Sequence, residues 1–284
     1  MAITRSARRR NWGEMPHDLL VKIFALLNFL ERMTIAAGVC SSWRAAAADD
    51  PSLTKKMIDV ALFRENAAPE LTHTRAQQQI DLAFARAINL TGSQLLSLVF
   101  DPLSDIRDKH LKHAAHRCPK LEQLVLPFPN AIKKASLNKS FQSWPNLRSL
   151  SIPFNGFLET TSLYKLAGSC FRDLVVLKVS TYIFPKHHFK AIAKFIPNLE
   201  ILHLQCHVVE TNFIVQQLSA MPELKHVYIS CLEFQHSTAK RDIRDLGSSI
   251  NGARNRNKLP SLQLFHHCNW NETECEVPQC NLWI

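Results

Sequence analysis

The stretch CPKLEQLVLP, residues 118–127, decides the fold because the chain repeats its pattern. WPNLRSLSIP follows at residues 144–153, and IPNLEILHLQ follows at residues 196–205. The shared pattern is L-x-x-L-x-L, with leucine or another apolar residue at each L position. Six copies begin 26, 26, 27, 25 and 25 residues apart, at Leu95, Leu121, Leu147, Leu174, Leu199 and Leu224. Self-similarity of this kind predicts a repeat architecture.

Each copy predicts a short strand followed by a helix. The later apolar positions of the pattern alternate, as they do in a strand with one buried face. Between copies, apolar residues lie three and four apart, as in LYKLAGSCF (163–171) and HFKAIAKFI (188–196), which is typical of a helix. One strand-helix unit cannot bury both of its faces alone, so we expect stacked units with a continuous core and a parallel sheet.

This pattern resembles that of leucine-rich-repeat (LRR) proteins. The resemblance implies a right-handed α/β solenoid with a curved parallel sheet, which we assign to residues 57–284. Residues 57–63 and 74–89 predict the strand and helix of a first repeat. The family often places Asn or Cys eight residues after the first leucine, and here only Asn155 matches, because Tyr182, His207 and others replace it.

A further copy of the pattern enters at Leu262, 38 residues after Leu224. We interpret the excess length as a basic insertion loop at about residues 239–258. The remaining residues, 259–284, are predicted to form an irregular C-terminal cap.

The first sixty residues have a different pattern. Pro16 is well placed to begin a helix, because its missing N–H costs nothing there. The apolar residues that follow form a stripe too wide for one packing face of so small a unit. Surplus apolar surface predicts a protein partner, and packing on the repeat domain is the alternative. The stripe comprises Leu19, Leu20, Ile23, Phe24, Leu26 and Leu27.

These residues carry a second resemblance. Met15-Pro16-x-Asp18-Leu19-Leu20-x-x-Ile23-Phe24, then Val39-Cys40-x-x-Trp43-Arg44 and Asp50-Pro51-Ser52-Leu53, is similar to an F-box, a short three-helix domain. The whole chain resembles a plant-type F-box/LRR protein of the Skp-interacting-partner type. We therefore predict a basic disordered arm at residues 1–10, an F-box at 11–56 and the LRR domain at 57–284.

The resemblance implies a non-catalytic, substrate-recognition subunit of a cullin-RING (SCF-type) ubiquitin ligase. The F-box would bind a Skp-type adaptor and, through it, a cullin, while the repeats would hold an unknown target protein. By carry-over from the F-box motif, the adaptor-binding candidates are Pro16, Leu20, Ile23, Leu27, Val39 and Trp43. The alternative is that some of these side chains form only the core of the helical bundle.

The repeats also predict a target-binding surface. The x positions of each L-x-x-L-x-L unit point away from the core, toward the concave face of the sheet. Toward the C-terminal end these positions hold aromatic and cationic residues, which are common binding anchors. A solvated sheet face without a ligand is the alternative. The target-binding candidates are Arg148, Lys178, His203, Lys225, His226 and Tyr228.

The formal net charge of +10 raises the question of nucleic acid. Arg5 and Arg8–Arg10 supply four of these charges, and residues 239–258 supply four more, from six basic and two acidic residues. The basic character therefore belongs to an arm and an insert, which argues against a nucleic-acid-binding scaffold. A nucleic-acid-binding or ligand-sensing LRR protein, using the insert or the concave face, is the alternative function.

Other classes of function lack support in the sequence. It has no apolar run long enough to cross a membrane and no secretory signal, so we expect the cytoplasm, the nucleus or both. Catalytic and phosphate-binding motifs are missing, and we predict no enzyme, no cofactor and no metal site. The zinc-like set at the C-terminus has no CxxC pair. The residues of that set are His266, His267, Cys268, Cys275 and Cys280.

The other cysteines and one group of histidines have simpler interpretations. We predict buried thiols at Cys40, Cys118, Cys170, Cys206 and Cys231. We predict surface or cap histidines at His110, His113 and His116.

Overall fold

The structure, a computed structural model, divides into two compact units, Met1–Leu95 and Leu96–Ile284. The predicted basic arm, most of the predicted insertion loop, Asn155, Cys275 and Cys280 lie outside the residues that it describes. The described residues are 12–49, 56–60, 63, 73–91, 94–100, 106–126, 132–154, 160–184, 186–209, 216, 218–231, 248, 252, 262 and 264–269.

The first unit is mainly helical. A 3₁₀ turn at Trp12–Glu14 precedes α1 (His17–Phe24), and three consecutive segments form the second helical stretch: α2 (Phe29–Glu31), a π-helix (Arg32–Ala36) and α3 (Ala37–Val39). The third helix is α4 (Ser41–Ala48). The strand β1 (Met57–Asp59) and the long helix α5 (His73–Thr91) complete the unit. The three helical stretches between residues 17 and 48 agree with the predicted short helical bundle.

Local sequence explains where the second stretch begins. The side chain of Asn28 accepts a hydrogen bond from the Glu31 backbone N–H at 2.9 Å, and the Glu31 carboxylate accepts the Asn28 N–H at 3.2 Å. This reciprocal capping box satisfies two N–H groups that a helix start would otherwise leave without partners. The core of the unit then closes around Leu20, Phe24 and Met33, all of which are buried.

Helix α5 belongs to this first unit. Its inner side buries Ile80, Phe84 and Ala87, and the ring of Phe63, just before it, stacks on that of Phe29 with centroids 5.0 Å apart. The sequence predicted a strand within residues 57–63 and a helix over residues 74–89, and β1 and α5 are found at those places.

The second unit alternates strands and helices along the chain. Its strands are β2 (Ser97–Val99), β3 (Gln123–Val125), β4 (Ser149–Phe154), β5 (Val176–Phe184), β6 (Ile201–Val209), β7 (His226–Cys231) and β8 (Leu264–Asn269). The helices that lie between the first five of them are α6 (Asp108–Arg117), α7 (Lys134–Phe141), α8 (Thr160–Cys170) and α9 (Lys186–Phe195).

The seven strands pair in parallel and in chain order, each with the strand of the next repeat. The second leucine of the pattern is in register across the sheet: Leu98 with Leu124, Leu124 with Leu150, and so on to Phe265. The pattern leucines are buried, and burying each one contributes about 1.5–3 kcal/mol. The predicted LRR solenoid is therefore confirmed, and β8 continues its sheet where the sequence placed a seventh copy.

Each repeat turns from helix to strand in the same way. The residue before the proline position is buried in five successive repeats, at Cys118, Trp144, Phe171, Ile196 and Met221. Its backbone N–H closes the last helical turn, as the Cys118 N–H does on the Ala114 carbonyl at 2.8 Å. The quoted stretch therefore begins at the residue that caps one helix, Cys118, and contains the next strand, Gln123–Val125.

The strands begin at a repeated backbone arrangement. The carbonyl of the residue after the leading leucine accepts two N–H groups from the next repeat. Glu122 O accepts from Arg148 N at 2.8 Å and from Ser149 N at 2.9 Å, and Glu200 O does the same with Lys225 N and His226 N. This arrangement holds equivalent positions of successive repeats in register.

The longest strands lie in the middle of the second unit. Strands β5 and β6 have nine residues each, and the positions where the family often carries Asn or Cys, Tyr182 and His207, lie within them. Extended backbone therefore continues at the positions where the sequence departs from the family pattern. Among the described residues, no helix is both long and apolar enough to cross a bilayer.

Candidate adaptor-binding face and concave sheet face

Large apolar side chains are exposed on the first unit in two stripes with helical spacing. The α1 stripe consists of Leu19, Ile23 and Leu26, and Leu26 is 87% exposed. The π-helix stripe consists of Ile35 and Val39, and Ile35 is 66% exposed. Exposed apolar groups grouped on so small a unit are typical of a protein-binding surface.

The six residues predicted to bind the adaptor do not all reach this surface. Pro16, Ile23 and Val39 are exposed, and Leu27 and Trp43 are partly buried. Leu20 is 1% exposed, and the structure therefore corrects its assignment: it belongs to the core. The physical reason is its position on α1, on the side of Phe24, which faces α4 rather than solvent.

Leu26 and Ile35 are surface residues that the sequence did not reveal as such. Leu26 was part of the apolar stripe, but periodicity alone did not show that the helix ends at Phe24 and leaves Leu26 in a turn. Ile35 lies in the π-helix, whose wider spacing has no clear sequence signal. Short π-helical turns occur often at functional sites, because they redirect the side chains around them.

Trp43 has a positioning role that its motif did not reveal. Its indole Nε1 donates to the Trp12 carbonyl at 2.9 Å, and its ring packs edge-on against Phe24 with centroids 5.2 Å apart. The Ser42 hydroxyl donates to the Gly13 carbonyl at 3.0 Å. The start of α4 thereby holds the 3₁₀ turn that exposes Trp12.

On the second unit, the predicted target-binding residues include one row in register across three strands. Lys178 of β5 pairs with His203 of β6, and His203 pairs with Tyr228 of β7. The His203 and Tyr228 ring centroids are 5.7 Å apart, and those of His226 and Tyr228 are 6.3 Å apart. Strand alternation places this row on the sheet face opposite the leucine core.

The expected exposure of this row is wrong for two of its members. His203 is 1% exposed and Tyr228 is 4% exposed, whereas Lys178 and His226 are partly buried. Adjacent strands lie about 4.8 Å apart, so bulky rings at equivalent positions cover one another. In this conformation, Lys178 and His226 offer more of their surface to a partner than His203 or Tyr228 does.

Comparison with known proteins agrees with both units. Residues 12–58 match the F-box-like family. An F-box/LRR-repeat protein of Arabidopsis thaliana is 28% identical over 233 residues, which cover 79% of this chain and 73% of the relative. The F-box protein SKIP1 of Arabidopsis thaliana is 23% identical over 239 residues, covering 76% of this chain and 77% of the relative.

Residues 12–58 therefore carry an F-box-like domain, and the chain as a whole is similar to F-box/LRR proteins of Arabidopsis thaliana. Its F-box implies binding of a Skp-type adaptor and supports, in general, a substrate-recognition role in an SCF-type ubiquitin ligase.

The remaining target-binding candidates, Arg148 and Lys225, lie at the N-terminal ends of the strands. Arg148 and Lys225 each precede a strand directly, and the Lys225 ammonium forms an ion pair with the Glu200 carboxylate at 3.0 Å. Arg148 lines a polar groove of about 550 Å³, together with Glu122, Glu200 and other turn residues. The six candidates therefore form two groups. Lys178, His203, His226 and Tyr228 lie on the sheet face, and Arg148 and Lys225 lie just before the strands.

His110 has a structural role at the start of a helix. His110 is buried, and its Nδ1 accepts the Arg107 backbone N–H at 3.0 Å at the start of α6, as expected of a cap histidine. Within the described part of the chain, no three His, Cys, Asp or Glu residues are grouped as metal ligands would be. Two of the zinc-like residues, Cys275 and Cys280, lie outside that part, so the C-terminal set is untested.

The four cysteines with described side-chain surroundings are free thiols in two environments. Cys118 and Cys206 are buried, as predicted, and burial raises the pKa of the Cys118 thiol to about 12. Cys40 and Cys170 are only partly buried, so the prediction is wrong for them. A hydrogen bond with Ser42, at 3.1 Å, lowers the pKa of the Cys40 thiol from its ordinary value.

Proposed function

We propose that this F-box/LRR protein binds a Skp-type adaptor through the α1 stripe and the π-helix stripe, and holds a target protein on the sheet of its second unit. The protein would then link the target to a cullin and take no part in the chemistry of ubiquitin transfer. The observation that carries the proposal is the exposure of Leu26, Ile35 and Val39 inside the matched residues 12–58.

The energetics support an apolar contact. Full burial of each of these side chains by a partner contributes about 1.5–3 kcal/mol of favourable free energy relative to leaving the side chain in water. The α1 helix and the second helical stretch each contribute one stripe, so a partner that covered both would contact two elements of a rigid bundle. Contiguous exposed apolar groups of this kind mark protein-interaction sites.

The test is binding of purified Skp-type adaptor, measured by calorimetry. We expect wild type to bind, and Ile35→Asp and Leu26→Asp each to weaken binding by about 10-fold or more, because a carboxylate cannot be buried without a partner. Leu82→Asp is the matched control, since Leu82 is an exposed leucine of the same unit outside residues 12–58. A folded wild-type chain that does not bind would refute the proposal.

The target-binding part needs a separate test. We expect a target protein that co-purifies with the adaptor-bound wild type to be lost on Lys178→Glu and His226→Glu, because both side chains face away from the leucine core. Lys190→Glu introduces the same charge change as Lys178→Glu on the exposed side of α9 and is the control. Equal loss with Lys190→Glu would argue against the sheet face as the target site.

A further inference from the structure

Arg86 links helix α5 to the middle of the F-box unit, although it lies outside the matched residues 12–58. Its guanidinium Nη1 donates to the Met33 carbonyl at 2.8 Å and to the Thr34 carbonyl at 2.5 Å. These acceptors lie 53 and 52 residues earlier in the chain. Both belong to the π-helix Arg32–Ala36.

The π-helix is a distorted segment that a hydrogen-bond donor from outside the helix can stabilise. Its wide turn is seen at Ala37, whose N–H reaches the Arg32 carbonyl five residues back. Such a turn interrupts the regular ladder of helical hydrogen bonds and is rarely long. Hydrogen bonds from a guanidinium are charge-assisted, so they are stronger than those between neutral groups. Arg86 therefore stabilises the π spacing at the residues where it occurs.

The π spacing decides where the exposed residues point. Met33, Ala36 and Ala37 are buried, while Ile35 and Val39 project outward from the same segment. If the turn relaxed to α spacing, the residues beyond it would rotate by about 100° around the helix axis, the angle of one residue. Val39 would then leave the side that it shares with Ile35, and the π-helix stripe would be broken.

Gly38 makes room for this arrangement. A β-carbon at Gly38 would lie 3.0 Å from Nη2 and 3.1 Å from Nη1 of Arg86, which is closer than ordinary contact. The guanidinium could yield only by moving, and movement would lengthen its bonds to Met33 and Thr34. A residue without a side chain at position 38 therefore lets Arg86 reach its two carbonyls.

We propose that Arg86 is a positioning residue for adaptor binding: it holds the π-helix of the F-box in the spacing that presents Ile35 and Val39 together. Adaptor recognition then requires α5, which follows the F-box in sequence, and Gly38 acts through Arg86. This inference rests on the proposed adaptor binding.

The first test compares adaptor affinity among full-length variants. We expect Arg86→Met to weaken binding by about 10-fold, and Arg86→Lys to recover part of the loss because an ammonium reaches fewer acceptors than a guanidinium. Arg75→Met, a change at an exposed arginine of the same helix, should bind as wild type does. Hydrogen exchange should accelerate in Arg86→Met at the amides of residues 32–39 while those of α6 keep their protection.

A double-mutant cycle separates positioning from general loss of stability. Gly38→Ala should weaken adaptor binding by about 3-fold in the wild-type background and have no further effect in Arg86→Met, because the two residues act through one contact. Should Arg86→Met fail to fold, Gly38→Ala measured with and without Arg86→Lys decides the same question.

The outcomes distinguish this inference from the proposed function. A wild type that binds the adaptor, with Arg86→Met binding equally well, overturns the role of Arg86 alone. Additive effects of Gly38→Ala and Arg86→Met would also overturn it. A folded wild type that does not bind refutes the proposed function and this inference with it.

Discussion

Gly168 of α8 and Phe195 of α9 approach so closely that a β-carbon on Gly168 would lie 1.8 Å from the Phe195 carbonyl oxygen. Neighbouring helices of the solenoid thus touch backbone to backbone at this point. Because the atom in the way is a backbone oxygen, a side-chain rotation cannot relieve the clash, and the two helices would have to move apart.

We therefore expect Gly168→Ala to destabilise the second unit. Alanine favours a helix over glycine by about 1 kcal/mol, which acts in the opposite direction. The separation of packed helices should outweigh this gain, with a net loss of about 1–2 kcal/mol in the free energy of unfolding. Urea denaturation measures the change.

The control for this prediction is Ser169→Ala. Ser169 is exposed and adjacent on the same helix, so its replacement tests helix propensity without the clash. It should leave stability within about 0.5 kcal/mol of wild type. A Gly168→Ala protein as stable as wild type would contradict the close approach of α8 and α9.

Leu20 and Ile23 should respond differently to truncation. Leu20→Ala removes a buried side chain and leaves a cavity, so it should cost about 3 kcal/mol of stability. Ile23→Ala should change stability by less than about 1 kcal/mol, because Ile23 is already exposed. Thermal unfolding and adaptor affinity, measured on both variants, should show that Ile23→Ala weakens binding in a protein as stable as wild type. Equal destabilisation by the two changes would contradict the assignment of Leu20 to the core.

His188 should make stability depend on pH. It is buried, with its Nδ1 3.4 Å from the hydroxyl of Tyr164 in α8 and its ring centroid 5.0 Å from that of Phe184 at the end of β5. Burial, with a smaller contribution from the charge of His187, lowers the pKa of His188 from 6.5 to about 4. The unfolded chain therefore binds the proton more readily than the folded chain. The contribution of His188 to the free energy of unfolding is therefore fully present above pH 6.5 and is lost as the pH falls toward 4.

We expect His188 to account for a loss of about 2 kcal/mol between pH 7 and pH 5. His188→Gln should remove that part of the pH dependence, as measured by urea denaturation at both values. His187→Gln, at the exposed neighbour, should retain most of it. The same pH dependence in wild type and His188→Gln would show that His188 is not the group responsible.

The cysteines should react with alkylating reagents at unequal rates. Thiolate is the reactive form, and the pKa of Cys40 is lowered whereas that of Cys118 is raised to about 12. At pH 8 we expect iodoacetamide to modify Cys40 at least about 10 times faster than Cys118 in the folded protein. Peptide mass spectrometry over time gives both rates. Ser42→Ala should slow the modification of Cys40, because it removes the hydrogen bond that lowers the pKa of this thiol. Rapid modification of Cys118 would contradict its burial.

The repeat architecture was predictable because it depends on periodicity. The spacing of the leucines determined the number and order of the strands, and the sheet pairs them as the repeats predicted. The helix over residues 74–89 was equally readable from its apolar spacing. Its place in the first unit was not readable, since Phe63 and the inner side of the helix meet residues distant in the chain.

The candidate site was less predictable, because exposure depends on neighbours. Leu20 and Leu26 carry the same side chain in one apolar stripe, yet one is buried and the other is 87% exposed. His203 and Tyr228 occupy positions that alternate away from the core, as predicted, but their rings cover each other across adjacent strands.

The sequence by itself determined the F-box motif, the repeats and the register of the sheet, because these follow from residue type and spacing along the chain. Tertiary structure alone decided that Leu20 is core, that a π-helix presents Ile35, and that Arg86 supports it from 52 residues away. Those facts depend on which atoms meet in space, and a local pattern carries no information about a contact made so far along the chain.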